Sequence, residues 1–501
     1  MDHSEEILFN RESYTLLLPV NLEDFNIPDY IRDYAKESGL IEKKELHITI
    51  FGFGVAKKIE EALKIRRDKT EDFIDLVHGM SWDFEPKHEF YEIEKSYNIK
   101  NISEERRSII MMVSVSSLNN FFDSVNNLLG INLDIPPVHV TLFTKSSLPE
   151  NNQSGIGISS QRDFLNLKSE VIFPSIFDAR EYEQIALPTR PQPDTIVAIL
   201  LLKKLGKNRL KGIEDATYVF LPRLPEGETE ESLLDRGIFL LDVGGGHFDH
   251  HNKFVQTTVS NIVAEYLGAK NNPSLSKLLQ YAERDDFYGK GTISTDSLDR
   301  AFGLSGLISA LNKKYVNNPE VVIDLVLPIL TAFLEEEEKR TFEMPQELEE
   351  KLKNGYAREF NVTQRKKKLR CIFIETDNTS MAGFLRSKGG GGFDVVALRL
   401  SSGHINILTR PLQRVDLRSL AVMIRLQEAE ARDVIIDGSP QDLAVSGTLE
   451  EVTQWYYDPA TNSLLNGGPN PQNVEPTAID PMGFLKVLEL GLSEELWAPG
   501  R

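Results

Sequence analysis

The sequence predicts a multidomain protein: an α+β domain, then an α/β domain built on a parallel sheet, then a smaller α/β or α+β C-terminal lobe. Three observations predict this. The chain has 501 residues, more than one hydrophobic core ordinarily serves. Its first 175 or so residues mix short alternating strands with amphipathic segments, whereas from residue 194 apolar helices and strands take turns, as βαβ units require. Between these textures, three prolines punctuate "DAREYEQIALPTRPQP" (178–193), which reads as a boundary. The expected domains are 1–177, 185–345 and 355–501.

In chain order, "SYTLLLPV" reads as a strand, "IPDYIRDYAKESGL" as a helix ending at Gly39, and "RSIIMMVSVSS" as a strand. The stretch "KSSLPENNQSG" (145–155) is a polar loop within the first domain. Next come "DTIVAILLLKKLG" (helix), "ATYVFLP" (strand), "GIFLLDVG" (strand) and "TTVSNIVAEYLG" (helix). Charge-rich helical sequence, including "LPILTAFLEEEEKRTF", runs to about residue 355, and strands and helices alternate again from "LRCIFIETDN" onward. No repeat of fixed period is visible.

Composition narrows the function. A net charge of −20 argues against sequence-blind coating of duplex DNA, but leaves room for a nucleotide or single strand in a locally basic or metal-lined cleft. The basic runs "KIRRDK" and "QRKKKLR" read as solvated faces. A single cysteine, Cys371, excludes an intramolecular disulfide framework and a Cys-rich zinc site. No apolar run approaches the roughly 20 residues of a membrane span. A cytoplasmic enzyme without membrane attachment is expected.

Two stretches repeat one pattern: "ELHITIFGF" carries His47-Ile48-Thr49-Ile50 and "PVHVTLFTK" carries His139-Val140-Thr141-Leu142. On a strand, residues i and i+2 share a face, so each histidine points the same way as its threonine. Two such strands side by side would put two imidazoles and two hydroxyls in one cleft. One imidazole would accept a proton from an attacking oxygen and the other would donate one to the leaving oxygen, while the threonines bind phosphate oxygens. The paired motifs, over roughly residues 10–175, resemble the two-histidine (2H, LigT-like) phosphoesterases. That resemblance implies a bilobal α+β fold and cofactor-free hydrolysis of cyclic phosphodiesters, with His47 and His139 as acid and base and Thr49 and Thr141 as phosphate binders.

The second cluster is "FLLDVGGGHFDHHNKF" (239–254). Asp242 ends a predicted strand, the edge where α/β sheets place ligands. Glycines permit a tight turn, and Asp249, His250 and His251 add carboxylate and imidazole, a mixture suited to Mn²⁺, Zn²⁺ or Fe²⁺. Asp194 opens an apolar helix, and Asp285 and Asp286 follow in "YAERDDFYG". Together these residues resemble the DHH phosphoesterases, and within them the melanocyte proliferating gene family of metal-dependent hydrolases and 3′-5′ exonucleases; "FGLSGLISALNKKYVNNP" adds to the likeness. The resemblance implies Asp194, Asp242, His250, His251 and Asp285 (or Asp286) as ligands of a divalent metal, Mn²⁺ foremost, with Zn²⁺, Fe²⁺ or Mg²⁺ as alternatives. It departs in one place. Arg190 and Gln192 stand where a histidine and an aspartate are usual, which weakens one metal position, leaves His247 as a substitute ligand, and allows Arg190 to hold a substrate phosphate instead.

In the third domain, "RSKGGGGFDVVALRL" holds Gly389 to Gly392, and the amides around Gly390 and Gly391 are candidates for phosphate contact, with a hairpin connection the alternative. His404 reads as structural, and "DPATNSLLNGGPNPQNVEPT" (458–477) as a surface loop or a flap. His3, His78 and His88 receive no role. The expected function is a phosphodiesterase acting on RNA 3′ ends, oligoribonucleotides or small cyclic or linear nucleotides, with a homodimer allowed. The alternatives are a nucleotide- or RNA-binding sensor with a degenerate DHH domain and a second-messenger hydrolase.

Overall fold

The first part of the chain forms an antiparallel sheet whose central strand β6 carries the continuous apolar run Ile109–Val113, buried on both faces. The computed structural model describes residues 7–99, 102–178, 180–251, 253, 256–289, 293–468 and 471–493. His3 lies outside them. Strands β1 (Leu8–Phe9), β2 (Leu16–Val20), β3 (Ile41–Glu42), β4 (Leu46–Phe51), β5 (Phe84–Ile99), β6 (Ile102–Val115), β7 (His139–Ser146) and β8 (Lys168–Val171) form one sheet of order β1-β2-β4-β7-β6-β5-β8, with β3 also on β7. Helices α1 (Asp29–Glu37), α2 (Phe53–Ile65), α3 (Thr70–His78) and α4 (Leu118–Leu129) bury their apolar stripes on one face, against Leu18, Ile48, Ile50, Val140 and Leu142. On β6, Ile109, Met111 and Val113 join that core, while Ile110 and Met112 face a second cluster with Phe164 of α5 (Gln161–Asn166).

A three-stranded sheet follows, with β9 (Gln184–Pro188) between β10 (Thr217–Leu221) and β11 (Ile238–Leu240), both paired parallel to it. Strand β9 lies inside the stretch read as a boundary, where the expected second domain begins. Ile185, Ala186 and Leu187 are fully buried, and the segment supplies the central strand. Three apolar residues ahead of a run of prolines are too few for periodicity to identify, and only pairing on both edges makes them a strand. The surrounding helices are α6 (Pro193–Leu205), α7 (Glu230–Leu234), α8 (Val259–Tyr266), α9 (Ser276–Tyr288), α10 (Ser297–Phe302), α11 (Leu304–Lys314) and α12 (Glu320–Glu338). Helix α6 is apolar on every side and buried from Pro193 to Leu202, as an interior helix should be.

The chain divides into two compact units, Met1–Ala332 and Phe333–Arg501. The second unit contains α13 (Met344–Lys353), β12 (Ala357–Gln364), β13 (Lys367–Glu375), α14 (Met381–Arg386), β14 (Val395–Arg399), β15 (Ile405–Thr409), α15 (Arg418–Ala431), α16 (Pro440–Leu443), β16 (Tyr456–Asp458), β17 (Ser463–Leu465) and α17 (Pro481–Ser493). Its six strands run β12-β13-β14-β15-β17-β16, with only β13 and β14 parallel. The described parts of the segment read as a loop or flap, 458–468 and 471–477, are tied down by hydrogen bonds. Asn466 donates to Glu475 O and Thr477 N donates to Asn466 Oδ1, while His404 Nε2 donates to Val474 O at 2.9 Å, a structural role for that histidine. Among the described residues no helix is long and apolar enough to cross a membrane.

Candidate functional site

Two clusters of chemistry-bearing side chains lie in the first unit. Strands β4 and β7 are neighbours, and Ile48 faces Val140. That register sets His47 opposite Thr141 and Thr49 opposite His139, on the sheet face away from α1–α4. All four line one cavity of about 560 Å³, together with Lys43, Lys95, Tyr97 and the loop 153–159. Gly155 comes so close to Thr141 that a Cβ there would meet the hydroxyl at 3.3 Å, so the loop packs directly over the strand.

The proton inventory of this cleft follows from burial. His139 Nδ1 lies 2.8 Å from Pro137 O; a carbonyl only accepts, so Nδ1 carries the hydrogen and the neutral ring keeps its lone pair on Nε2. Burial holds His139 below the usual histidine range. Burial, followed by the charges of Lys43 and His139, pushes His47 down to about 4. Both rings are therefore neutral near pH 7 and able to accept a proton.

The second cluster is built where β11 ends. Asp242 leaves the strand at φ +62°, a left-handed conformation uncommon for a residue other than glycine, and Gly244 and Gly245 continue at φ +85° and +70°. Asp249 closes the turn: Oδ2 accepts from Gly245 N at 2.8 Å and Oδ1 from His251 N at 3.0 Å. His250 is thereby aimed inward. Its Nδ1 lies 3.1 Å from Asp242 Oδ1 and 3.9 Å from Asp194 Oδ2, and its Nε2 lies 3.4 Å from Asp286 Oδ1. The ligand atoms of Asp194, His250 and Asp286 lie within 4.8 Å of one another, as do those of Asp242, Asp249, His250 and His251. Thr195 Oγ1 donates to Asp242 Oδ2 at 2.6 Å and fixes that carboxylate from behind.

These residues suit a divalent cation. Asp194 Oδ2, Asp242 Oδ1 and His250 Nδ1 are all buried without a well-directed hydrogen bond, although Asp242 Oδ1 and His250 Nδ1 approach to 3.1 Å, and an ion among them would satisfy all three. Burial and then the charge of Asp242 push Asp194 up to about 7. Burial opposes charge on His250, but its contacts with Asp242 and Asp286 outweigh it and raise the ring to about 10. The excess of negative charge thus retains a proton that a dication would displace.

The remaining predicted residues distribute as follows. The α9 carboxylate that meets His250 is that of Asp286. Asp285 lines the adjacent cavity of about 480 Å³, with Gln192, Arg300 and Ser305. His251 has a side chain 64% exposed, stacks on His250 with centroids 4.3 Å apart, and lies 2.8 Å from Asp249 Oδ1. Arg190 is exposed and does not line that cavity. Gln192 is the N-cap of α6, its amide donating to Thr195 Oγ1 at 3.2 Å. His247, the substitute ligand, is held elsewhere: its Nδ1 lies 2.5 Å from Glu230 Oε2 and its ring packs edge-on against Phe177. In the second unit, Gly390 N donates to Ser387 O at 3.2 Å, and a Cβ on Gly390 would fall 2.1 Å from Phe384 O. Gly391 has φ +104°. The packing of their own turn accounts for these glycines.

Sequence reasoning missed Thr195, Lys43 and the loop 153–159. Nothing in local spacing marks them. The sequence left Asp286 open as the alternative to Asp285, and helical spacing does not choose between them: Asp285 stands seven residues beyond buried Leu278 and Asp286 seven beyond buried Leu279. Compared with protein-family models, curated proteins and solved structures, the chain matches none.

Proposed function

We propose that the chain is a phosphodiesterase with two separate chemistries, acting on RNA ends, oligoribonucleotides or small cyclic or linear nucleotides. The observation that carries this reading is the facing of two His-x-Thr pairs across adjacent strands within one cavity. In the two-histidine cleft, one neutral imidazole takes a proton from water as its oxygen bonds to phosphorus. The other, protonated once the substrate's negative charge has entered, returns a proton to the ribose oxygen whose bond to phosphorus breaks. Thr49 and Thr141 hydroxyls donate to the non-bridging oxygens. A 2′,3′-cyclic phosphate would open to a monoester by this route.

The second chemistry belongs to the DHH cluster. Asp194, Asp242, His250 and Asp286 would hold a divalent ion, with Mn²⁺ the first candidate. Such an ion supplies Lewis-acid polarisation of a phosphodiester. Asp249 shapes the turn that presents His250, Thr195 orients Asp242, and the neighbouring cavity offers room for the substrate.

One experiment tests both halves: metal content by elemental mass spectrometry, together with hydrolysis of 2′,3′-cyclic nucleotides and short RNA, on the protein and on H47A and H250A. The expected result is bound metal lost in H250A, and metal-independent cyclic phosphodiesterase activity reduced about 10²- to 10⁴-fold in H47A alone. Full retention of that activity in H47A would sink the two-histidine assignment. A second reading, a nucleotide sensor without metal-dependent turnover, draws on Gln192 serving as a helix cap where a ligand is usual. It predicts nucleotide binding with no hydrolysis at any Mn²⁺ concentration. A panel of cyclic and linear dinucleotides separates second-messenger hydrolysis from RNA processing.

A further inference from the structure

The cavity around His47 and His139 contains a cation that proton transfer does not use. Of its two lysines, Lys95 is engaged: its Nζ lies 3.6 Å from Asp163 Oδ1 and donates to Gly157 O at 3.2 Å. Asp163 is occupied in turn, accepting from Ser159 N and Oγ at 3.0 and 3.1 Å. Lys43 differs. Its backbone is pinned beside β7, the amide donating to Leu142 O at 2.9 Å, and its half-buried side chain lines the cavity. Among the described residues its ammonium has no ion-pair or hydrogen-bond partner within reach. Around it are imidazoles and the hydroxyls of Thr49, Thr141, Ser154 and Ser159, and the one lining carboxylate, Asp163, already has its partners. A part-desolvated ammonium without a direct partner, on which Glu45 acts only through its charge, is complementary to an anion.

We propose that Lys43 is a substrate-binding residue of the two-histidine cleft, anchoring the phosphate group of a nucleotide or RNA end by a charge-assisted hydrogen bond. The inference rests on the phosphodiesterase reading of that cleft. Electrostatics agree with it. Burial lowers Lys43 itself, with Glu45 acting in the opposite direction, and the lysine's charge helps keep His47 and His139 neutral in the free protein. An arriving phosphate would offset that charge and let one histidine take up the proton it later donates. Lys43 binds and tunes; it is not the acid or the base.

The test uses the full chain and the variants K43M and K43R, with inorganic phosphate and a 2′,3′-cyclic nucleotide as probes. For K43M the expected result is a KM raised roughly 10- to 100-fold with kcat within about threefold, and K43R recovering most of the loss. In ligand-free K43M, the His47 ring followed by NMR should titrate at higher pH than in the wild type. Phosphate should shift the His47 and His139 resonances in the wild type and not in K43M. A KM unchanged in K43M overturns the inference while leaving the phosphodiesterase reading intact. Lys43-dependent phosphate binding without hydrolysis of any cyclic phosphodiester sinks that reading and upholds the anchor. Absence of both phosphate binding and hydrolysis in the wild type overturns both. Lys43 makes no side-chain bond that folding needs, so thermal unfolding of K43M should match the wild type, and K43R covers the case in which it does not.

Discussion

Replacing Thr195 by valine removes one oxygen while keeping the side chain's shape, at a position with 0% exposure. That oxygen makes two bonds: it donates to Asp242 Oδ2 at 2.6 Å and accepts from the Gln192 amide at 3.2 Å. The first is a buried bond to a carboxylate, so its loss should cost about 1.5–3 kcal/mol. The second belongs to the N-terminus of α6 and contributes roughly 0.5–1 kcal/mol. Together the metal-free protein should lose about 2–4 kcal/mol. Freed from its donor, Asp242 should also bind a divalent ion roughly 10- to 100-fold more weakly. Urea unfolding in chelator, followed by calorimetric titration with Mn²⁺, measures both quantities. T195S keeps the hydroxyl and loses one methyl, so it should retain Mn²⁺ affinity and lose only about 1 kcal/mol. If T195V kept the wild-type urea midpoint and bound Mn²⁺ within twofold of the wild type, Thr195 would not orient Asp242 and the reasoning would be refuted.

D286N should weaken Mn²⁺ binding by tenfold or more while D285N leaves it near wild type, because only Asp286 meets His250; equal effects in calorimetry would reverse that assignment. His47 is neutral in the folded protein down to about pH 4, whereas an unfolded histidine takes its proton near 6.5, so its contribution to stability is fully present above 6.5 and is lost as pH falls toward 4. Screening of the part-exposed ring limits this to about 2 kcal/mol, read as the difference between wild-type and H47Q stability across that window. G390A should destabilise the second unit by more than about 2 kcal/mol, since the added Cβ would fall 2.1 Å from Phe384 O; thermal unfolding within a degree of wild type would show that the turn yields freely.

Much of the candidate chemistry was legible because it is local. A period of two along "HITI" and "HVTL" puts each histidine on its threonine's face and the isoleucines, valine and leucine on the other, whatever the rest of the chain does. An apolar run ending in Asp242 and three glycines likewise forecasts a strand that stops at a turn, and the all-round apolar run after Asp194 forecasts an interior helix. These are properties of consecutive dihedrals and of side-chain transfer to the interior, and a short window contains them. Other features depend on which faces meet. Strands β4 and β7 became neighbours only because both bury their apolar faces under the same helices, and that register brought the two histidines into one cavity. Tertiary packing also made "QIALP" a central strand, gave His247 to Glu230, and brought Lys43 into the lining of the cleft. In each case the deciding contact joins residues far apart in sequence, and its free energy is that of burying or pairing whole surfaces, which no local pattern encodes.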